Sequence, residues 1–430
     1  MGDAAETRAT LRAIFDAAVR AAHPSDCLPS YLPEPPANGR VIILAAGKAA
    51  ASMTAAAERF YMDERGLDDS RLTGLAVTRI GYAEPTHAVE VVEAGHPLPD
   101  EAGLAAARRT LALAQEAGPN DVVLALISGG GSANWIAPAG ALTLAEKQGL
   151  TRALLRSGAN IGEINTLRKR LSLMKGGRLA RLAAPARLVT LAISDVPGDD
   201  PSTIASGPTV PDPTTMADAR AVVAKYKLEL PQAARALLDD DANETPKAGD
   251  PAFERAEFHI VATPAKSLEA AAEAARAAGY DPIPLGADLE GEAREVAAEH
   301  AAMARRLKAE GRRVALLSGG ELTVTIKGDG RGGPNQEYAL ALALALDGEP
   351  GIAALAGDTD GTDGGAGKAD DPAGAVVDAT TLARAREAGL EPAAFLANND
   401  STGFFEKLGD LLKPGPTRTN VNDLRVILVG

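Results

Sequence analysis

Short, uninterrupted apolar runs recur along this chain, separated by longer stretches in which apolar residues return every third or fourth position. The segments at 41–46, 74–78, 89–93, 122–127, 188–193, 258–262, 314–317, 352–356, 375–377 and 424–429 read as strands, those at 188–193 and 314–317 as buried ones. The alternating segment Leu322-Thr323-Val324-Thr325-Ile326 reads as a further strand. Leu11, Ile14, Phe15 and Ala18 fall at helical spacing, helices are expected at 266–278 and 292–309, and Thr143 with Glu146 forms a capping box. Strand and helix alternate almost throughout, so the fold class is α/β with mainly parallel sheets. In such folds ligands sit outside the carboxyl ends of strands, which directs attention to the tips carrying Lys48, Ser128, Asp195, Ser318 and Asp358.

Two tips are rich in glycine. The run from Val122 ends in Ser128-Gly129-Gly130-Gly131-Ser132, and the run from Val314 ends in Ser318-Gly319-Gly320, followed by Glu321. Beyond the second lies Gly328-Asp329-Gly330-Arg331-Gly332-Gly333, then Pro334-Asn335-Gln336-Glu337 and an Ala/Leu helix. Glycines around one arginine just before a helix suit an anion site. The first strand ends at Gly47-Lys48. It lacks the earlier glycine of a P-loop, and Ala49 stands where Ser or Thr belongs, yet the lysine is placed to reach a phosphate or carboxylate. His96 lies in a turn between strand and helix, where it either binds substrate or fixes the turn, the second being the more ordinary role. Arg168, Lys169, Arg170, Lys175 and Arg178 cluster with no acid among them and a Gly176-Gly177 break. Such a run is ordinarily a solvated face, but here some cations are expected to meet an anionic ligand. Asp195 stands at a strand end before a long Pro/Gly/Ser/Thr segment reaching about Thr215, a loop length that suits function.

Composition narrows the classes. At 430 residues two domains are the default. A net charge of −14 argues against a nucleic-acid partner but leaves a nucleotide open, because Mg²⁺ bridges acidic side chains and phosphates. Cys27 is the single cysteine, which excludes an intrachain disulfide. No apolar run is long enough to cross a bilayer and no secretory segment follows Met1, so a cytoplasmic protein without a membrane partner is expected.

Glycine-lined tips, fixed cations (Lys48, Arg331, Lys175) and strand-end carboxylates (Asp195, Glu321, Asp358, Asp360) are the parts phosphoryl transfer needs. A competing reading takes Gly328–Gly333 as a literal GxGxxG with Asp358 as the acid of a dinucleotide fold and His96 as the acid of a dehydrogenase. Asp329 beside a pyrophosphate and Pro334 directly after the third glycine weigh against it. A third reading, a nucleotide- or acid-binding sensor, would leave Asp195 and Lys48 dispensable.

The stretches AAGKAA (45–50), AGHPLPDEAG (94–103), LISGGGSA (126–133), EINTLRKRLSLMKGGRLA (163–180), ISDVPGDDPSTIASGPTVPDPTT (193–215), LLSGGELTVTIKGDGRGGPNQE (316–337), AGDTDGTDG (356–364) and LANNDS (396–401) resemble, in order, the class II glycerate 2-kinases. Those enzymes end in a multi-organism leucine-rich fragment (MOFRL) domain. The resemblance implies a Rossmann-like N-terminal kinase domain at 1–245, a MOFRL-type α/β domain at 246–430, and an active site in the cleft between them. It implies transfer of phosphoryl from ATP, with Mg²⁺, to the 2-hydroxyl of D-glycerate. NAD(P)H-dependent hydroxypyruvate reduction, a label family members have carried, is the alternative. Catalytic roles fall on Lys48, Asp195 and Arg331. Nucleotide contacts fall on Ser128, Gly129, Gly130, Gly131, Ser132, Lys175, Ser318, Gly319 and Gly320, and substrate contacts on Arg168, Asn335 and Glu321. Metal binding falls on Asp195 and Asp358. The partner is the small-molecule substrate, and a homodimer is allowed. One departure is Val261-Ala262-Thr263-Pro264-Ala265, where relatives carry an Asn-containing turn.

Overall fold

The structure, a computed structural model, describes residues 2–364, 368 and 370–430. It divides into two compact units, one running from Cys27 to Val261 and one joining the N-terminal residues up to Asp26 to Ala262–Gly430.

The first unit is built on β1 (Val41–Ala46), β2 (Leu72–Arg79), β3 (Glu90–Ala94), β4 (Val122–Ile127), β5 (Arg187–Ile193) and β6 (Ala256–Ala262). Their order is β3-β2-β1-β4-β5-β6, and the pairings from β3 through β5 are all parallel. Every residue of β1 and β4 is buried, as uninterrupted apolar runs covered on both faces require. Strand order reverses between β1 and β4, which opens a crevice at their carboxyl ends. Ala46 pairs with Ile127 and Ile127 with Ala192, so β1, β4 and β5 end level with one another. The expected capping box forms at the start of the helix Leu144–Arg156.

The second unit holds β7 (Asp281–Leu289), β8 (Val314–Gly320), β9 (Ile352–Asp358), β10 (Gly374–Val377), β11 (Leu411–Leu412) and β12 (Asp423–Val429), ordered β11-β10-β9-β12-β8-β7. Only β7 and β8 pair in parallel; β12 runs antiparallel between β8 and β9, and β10 and β11 pair antiparallel at the other edge. The expectation of mainly parallel sheets therefore holds for the first sheet and not for the second. An apolar run shows that a strand is buried but carries no direction, and the terminal strand enters this sheet from the opposite side.

The helix Gly2–Ala21 lays Leu11, Ile14, Phe15 and Ala18 against Leu268, Leu317, Leu355 and Val426 of the second unit. Arg8 fastens it through Asp378 and Asp410 at 2.6 and 2.7 Å. The N-terminal segment thus belongs with the C-terminal core, while 246–261, including β6, stays with the first sheet. The expected division at 245/246 differs from these units at both places, because helical spacing reveals an apolar face but not the core that receives it. The expected strand at 322–326 does not form. Leu322 is buried, Ile326 is 80% exposed, and the segment makes one bridge, Thr323 to Glu292. The strand β7 escaped the sequence reading, since Pro282, Pro284 and Gly286 interrupt its alternation.

Candidate active site

The carboxyl edge of the first sheet gathers three expected site residues. Lys48, Ser128 and Asp195 follow β1, β4 and β5, adjacent parallel strands that end level. Neighbouring strands lie about 4.8 Å apart, so Lys48 and Asp195 leave the sheet roughly 10 Å from each other with Ser128 between them. The first two loops are locked together. Lys48 N–H donates to the Gly129 carbonyl at 2.8 Å, and Ala49 N–H donates to Ser128 Oγ at 2.9 Å. Gly47, at φ 119°, passes so close to Ser128 and Gly129 that a Cβ would overlap their carbonyls. Ser128 is therefore a clamp: it is fully buried and its hydroxyl is engaged inside the protein.

Gly130 is left-handed (φ 85°, ψ −13°) and caps the short helix Gly131–Asn134. A Cβ on it would meet the His96 ring at 2.9 Å and the Lys48 side chain at 3.5 Å, so three segments converge on this glycine. Ser132 shares a 2.7 Å hydrogen bond with Ser206, whose hydroxyl donates to Asn165 at 3.1 Å. The Ser132 carbonyl accepts from Lys175 Nζ at 2.8 Å.

Gly130, Ser132 and His96 line a cavity of about 320 Å³ together with Lys147, Arg168 and Lys175. Lys147 and Lys175 are buried, and Lys147 Nζ donates to the Leu171 carbonyl at 2.6 Å. Burial, then the neighbouring Arg168 and Arg178, pushes Lys147 down to about 7. Burial, then Lys147 and Arg168, pushes Lys175 well below the ordinary lysine range.

The basic segment at 165–180 divides into two groups. Lys169 and Arg170 turn inward onto buried Asp212 at 3.0 and 2.9 Å, and Arg170 also meets Glu244 at 2.9 Å. Burial raises Asp212, but the two cations prevail and hold its carboxyl below the usual range. Arg178 binds Asn243. Only Arg168 and Lys175 of the segment line the cavity.

The expected residues of the second unit are arranged differently. Ser318, Gly319 and Gly320 are the last residues of β8, buried, and covered by Arg425, whose Nε donates to Ser318 Oγ at 3.1 Å and whose Nη2 meets the Gly319 carbonyl. The GDGRGG loop rests on Asn398–Ser401 and Asp363: a Cβ on Gly328, Gly330, Gly332 or Gly333 would collide with them. Its amides are engaged there too. Lys327 and Gly328 N–H donate to Asn399 Oδ1, Gly330 N–H to the Asn398 carbonyl, and Arg331 N–H to Asp400 Oδ1 at 3.1 Å. The glycines serve close packing, and these amides are not turned toward an anion. The same finding removes the physical basis for reading the loop as a dinucleotide fingerprint.

Asn335 is fully buried and ties Asp363 to Asp423 at 3.2 and 2.6 Å. Burial and the neighbouring Asp423 raise Asp363 to about 7. Asp358 is half-buried at the end of β9 and accepts from Asp360 N–H at 2.8 Å, while Glu321 is exposed. Arg331 is exposed and pairs with Glu406 at 3.1 Å. Among the described residues, no three His, Cys, Asp or Glu side chains stand together as a metal-holding group.

The family described as a domain of unknown function, DUF4147, matches residues 10–239, and the MOFRL family matches residues 314–423. A D-glycerate 2-kinase of Thermotoga maritima is 42% identical over 91% of both chains. The crystal structure of a glycerate kinase from Thermotoga maritima superposes with a TM-score of 0.86 at 39% identity, covering 99% of this chain and all of that one. The chain belongs to the glycerate 2-kinase family. A protein of Agrobacterium vitis provisionally named hydroxypyruvate reductase is 51% identical over 98% of this chain and 94% of its own.

Against that family background, sequence reasoning missed the helix Leu144–Arg156 as a wall of the cavity. Lys147, Thr151 and Leu155 recur every fourth residue, with Gln148 and Arg152 one step on, and all five line the cavity. The signal was a helical stripe mixing cations with apolar residues, which resembles an ordinary amphipathic surface. His96 stood out in the sequence, but its position against Gly130 did not. At 261–265, the expected departure from the family pattern, Thr263 caps the helix Pro264–Ala277 by accepting from Lys266 N–H, so the segment has a local structural role here.

Proposed function

We propose that this protein transfers the γ-phosphoryl group of ATP to the 2-hydroxyl of D-glycerate, giving 2-phosphoglycerate and ADP. The observation that carries the reading is the shared sheet edge. A lysine, a glycine-rich loop and a carboxylate leave three adjacent parallel strands beside a cavity lined by cations. The family's kinase relatives support it.

In this reading the 128–132 loop and Lys175 position the phosphate chain, and Lys48 offsets charge on the transferring phosphoryl group. The substrate's 2-hydroxyl attacks the γ-phosphorus in line, its proton passing to the Asp195 carboxylate as the bond from the γ-phosphorus to the ADP oxygen breaks. Arg168 is assigned to the glycerate carboxylate, and Arg331 is proposed as a further catalytic residue. Magnesium, bound with the nucleotide, would neutralise charge on the phosphates. Asp195 and Asp358 are its candidate ligands, since magnesium is bound with nucleotides through one or two protein carboxylates plus phosphate oxygens and water. A homodimer remains part of the proposal and is read directly from the mass in solution by light scattering.

The decisive assay incubates the protein with D-glycerate and MgATP and identifies the product by ³¹P NMR. Glycerate-dependent ADP and a 2-phosphoglycerate resonance are expected. Oxidation of NADH with hydroxypyruvate, without ADP release, would overturn the kinase reading in favour of the reductase.

A further inference from the structure

The 320 Å³ cavity is lined by four Lys and Arg side chains, Lys147, Arg152, Arg168 and Lys175, with no acid among its lining residues. The two buried lysines each donate to one backbone carbonyl, with no acid at ion-pair distance among the described residues. This is unlike Lys169 and Arg170 on the same helix as Arg168, which share the buried Asp212. Buried ammonium groups carry a large desolvation cost unless a counter-charge reaches them, so the arrangement is completed by an anion from outside.

The rest of the cavity describes the remainder of that ligand. Leu98 and Leu155 line it although they are 62% and 61% exposed, and Pro97, Pro99 and Ile136 continue the apolar wall. Gln148 also lines it, its amide nitrogen fixed on the Pro99 carbonyl at 2.7 Å, which leaves the amide oxygen as the acceptor. Basic and apolar walls around about 320 Å³ exceed what a three-carbon acid fills.

We infer that this cavity binds the nucleoside end of a nucleoside di- or triphosphate, with Lys147 and Lys175 on its phosphates and the base between Leu98 and Leu155. Gly130, which also lines the cavity, packs beside Lys48 and directs the phosphate chain toward that lysine. The inference rests on the kinase reading for the identity of the ligand but is tested without turnover. Lys147 faces Arg168, Arg178, Lys175, Arg152 and His96, all basic, so a bound phosphate favours its charged form, and binding takes up a proton above pH 7.

The test is calorimetric titration of the full chain with ADP, and separately with 2-phosphoglycerate, at pH 6.5 and 8.5. ADP is expected to bind more weakly at the higher pH, and both Lys147→Met and Leu155→Glu should weaken it by about tenfold or more. Leu155 is largely exposed, so Leu155→Glu tests the cavity even where a buried substitution disturbs folding. Loss of 2-phosphoglycerate binding with ADP binding intact would assign the cavity to the acid and overturn the inference, as would ADP affinity unchanged in both variants. Cavity-dependent ADP binding without glycerate-dependent ADP production would leave the inference standing and remove the kinase reading.

Discussion

The two glycine-rich loops, 128–132 and 328–333, look alike in sequence and do different work. At 128–132, glycine lets the loop approach Lys48 and His96, and Gly130 and Ser132 line a cavity with four Lys and Arg and no acidic lining residues. At 328–333, glycine lets the loop lie against Asn398–Ser401, whose carbonyl and side chains take up its amides. A glycine-rich loop before a helix is therefore not by itself an anion site. What separates the two is where the backbone N–H groups point and whether nearby cations already have acids.

The largest expected effects break this comparison at the first tip. Asp195→Asn keeps size and removes charge, and it should lower turnover by about 10²- to 10⁴-fold while leaving ATP affinity nearly unchanged. Lys48→Ala should cost on the order of 10²-fold or more. Steady-state kinetics with thermal melts decide the matter: wild-type turnover from either folded variant would return that residue to a surface role.

Next come the cations with and without acids. Lys169→Met strips a buried partner from Asp212 and should destabilise by about 3–5 kcal/mol in denaturant melts. Lys147→Met removes a buried cation that has no acid and should be neutral or stabilising. The sign follows from linkage. The folded protein holds Lys147 near 7, below its unfolded value, so between pH 7 and about 10.4 the unfolded chain binds more protons and stability rises with pH. The advantage of Lys147→Met should then be greatest near pH 7 and fade above pH 10. An advantage that grows with pH would contradict the assignment.

This contrast also marks what the sequence can reveal. The strand tips were legible, since parallel strands with level ends must gather Lys48, Ser128 and Asp195 at one edge. The roles of individual cations were not. Lys169 and Arg168 are neighbours in the chain, yet one meets Asp212, 43 residues away, and the other lines the cavity. No local pattern encodes that choice. Lys147 was invisible because its helical stripe resembles a solvated face, and Arg425 was invisible because its partner in β8 lies 107 residues away. The missing strand at 322–326 has a simple cause: alternation describes a strand only where a neighbour supplies hydrogen bonds, and Thr325 N–H finds the Glu292 carboxylate instead.

At the second tip the glycines themselves can be challenged. Gly330→Ala drives a Cβ into Asp400 and the Asn398 carbonyl, and overpacking of this kind costs about 1–3 kcal/mol. The expected result is a lower denaturation midpoint. Unchanged stability would show that the loop can lift off the 398–401 turn and that its amides are available after all.

The smallest effect concerns the side chain this second loop presents. Arg331 and Glu406 pair at 3.1 Å with both side chains more than half exposed, at 64% and 53%. Exposed pairs contribute about 0–1 kcal/mol, so Glu406→Gln should scarcely move the melting temperature. If Arg331 meets an anion during the reaction, the pair competes with that anion, and freeing the guanidinium should lower the KM of the anionic substrate about two- to threefold. Arg331→Lys serves as the reference. A guanidinium binds carboxylate or phosphate through two parallel hydrogen bonds and an ammonium cannot, so the lysine should recover only part of the activity lost in Arg331→Ala. A clear fall in melting temperature for Glu406→Gln, with kinetics unchanged, would instead make the pair a brace for the loop, and the second tip would then be structural down to its one exposed cation.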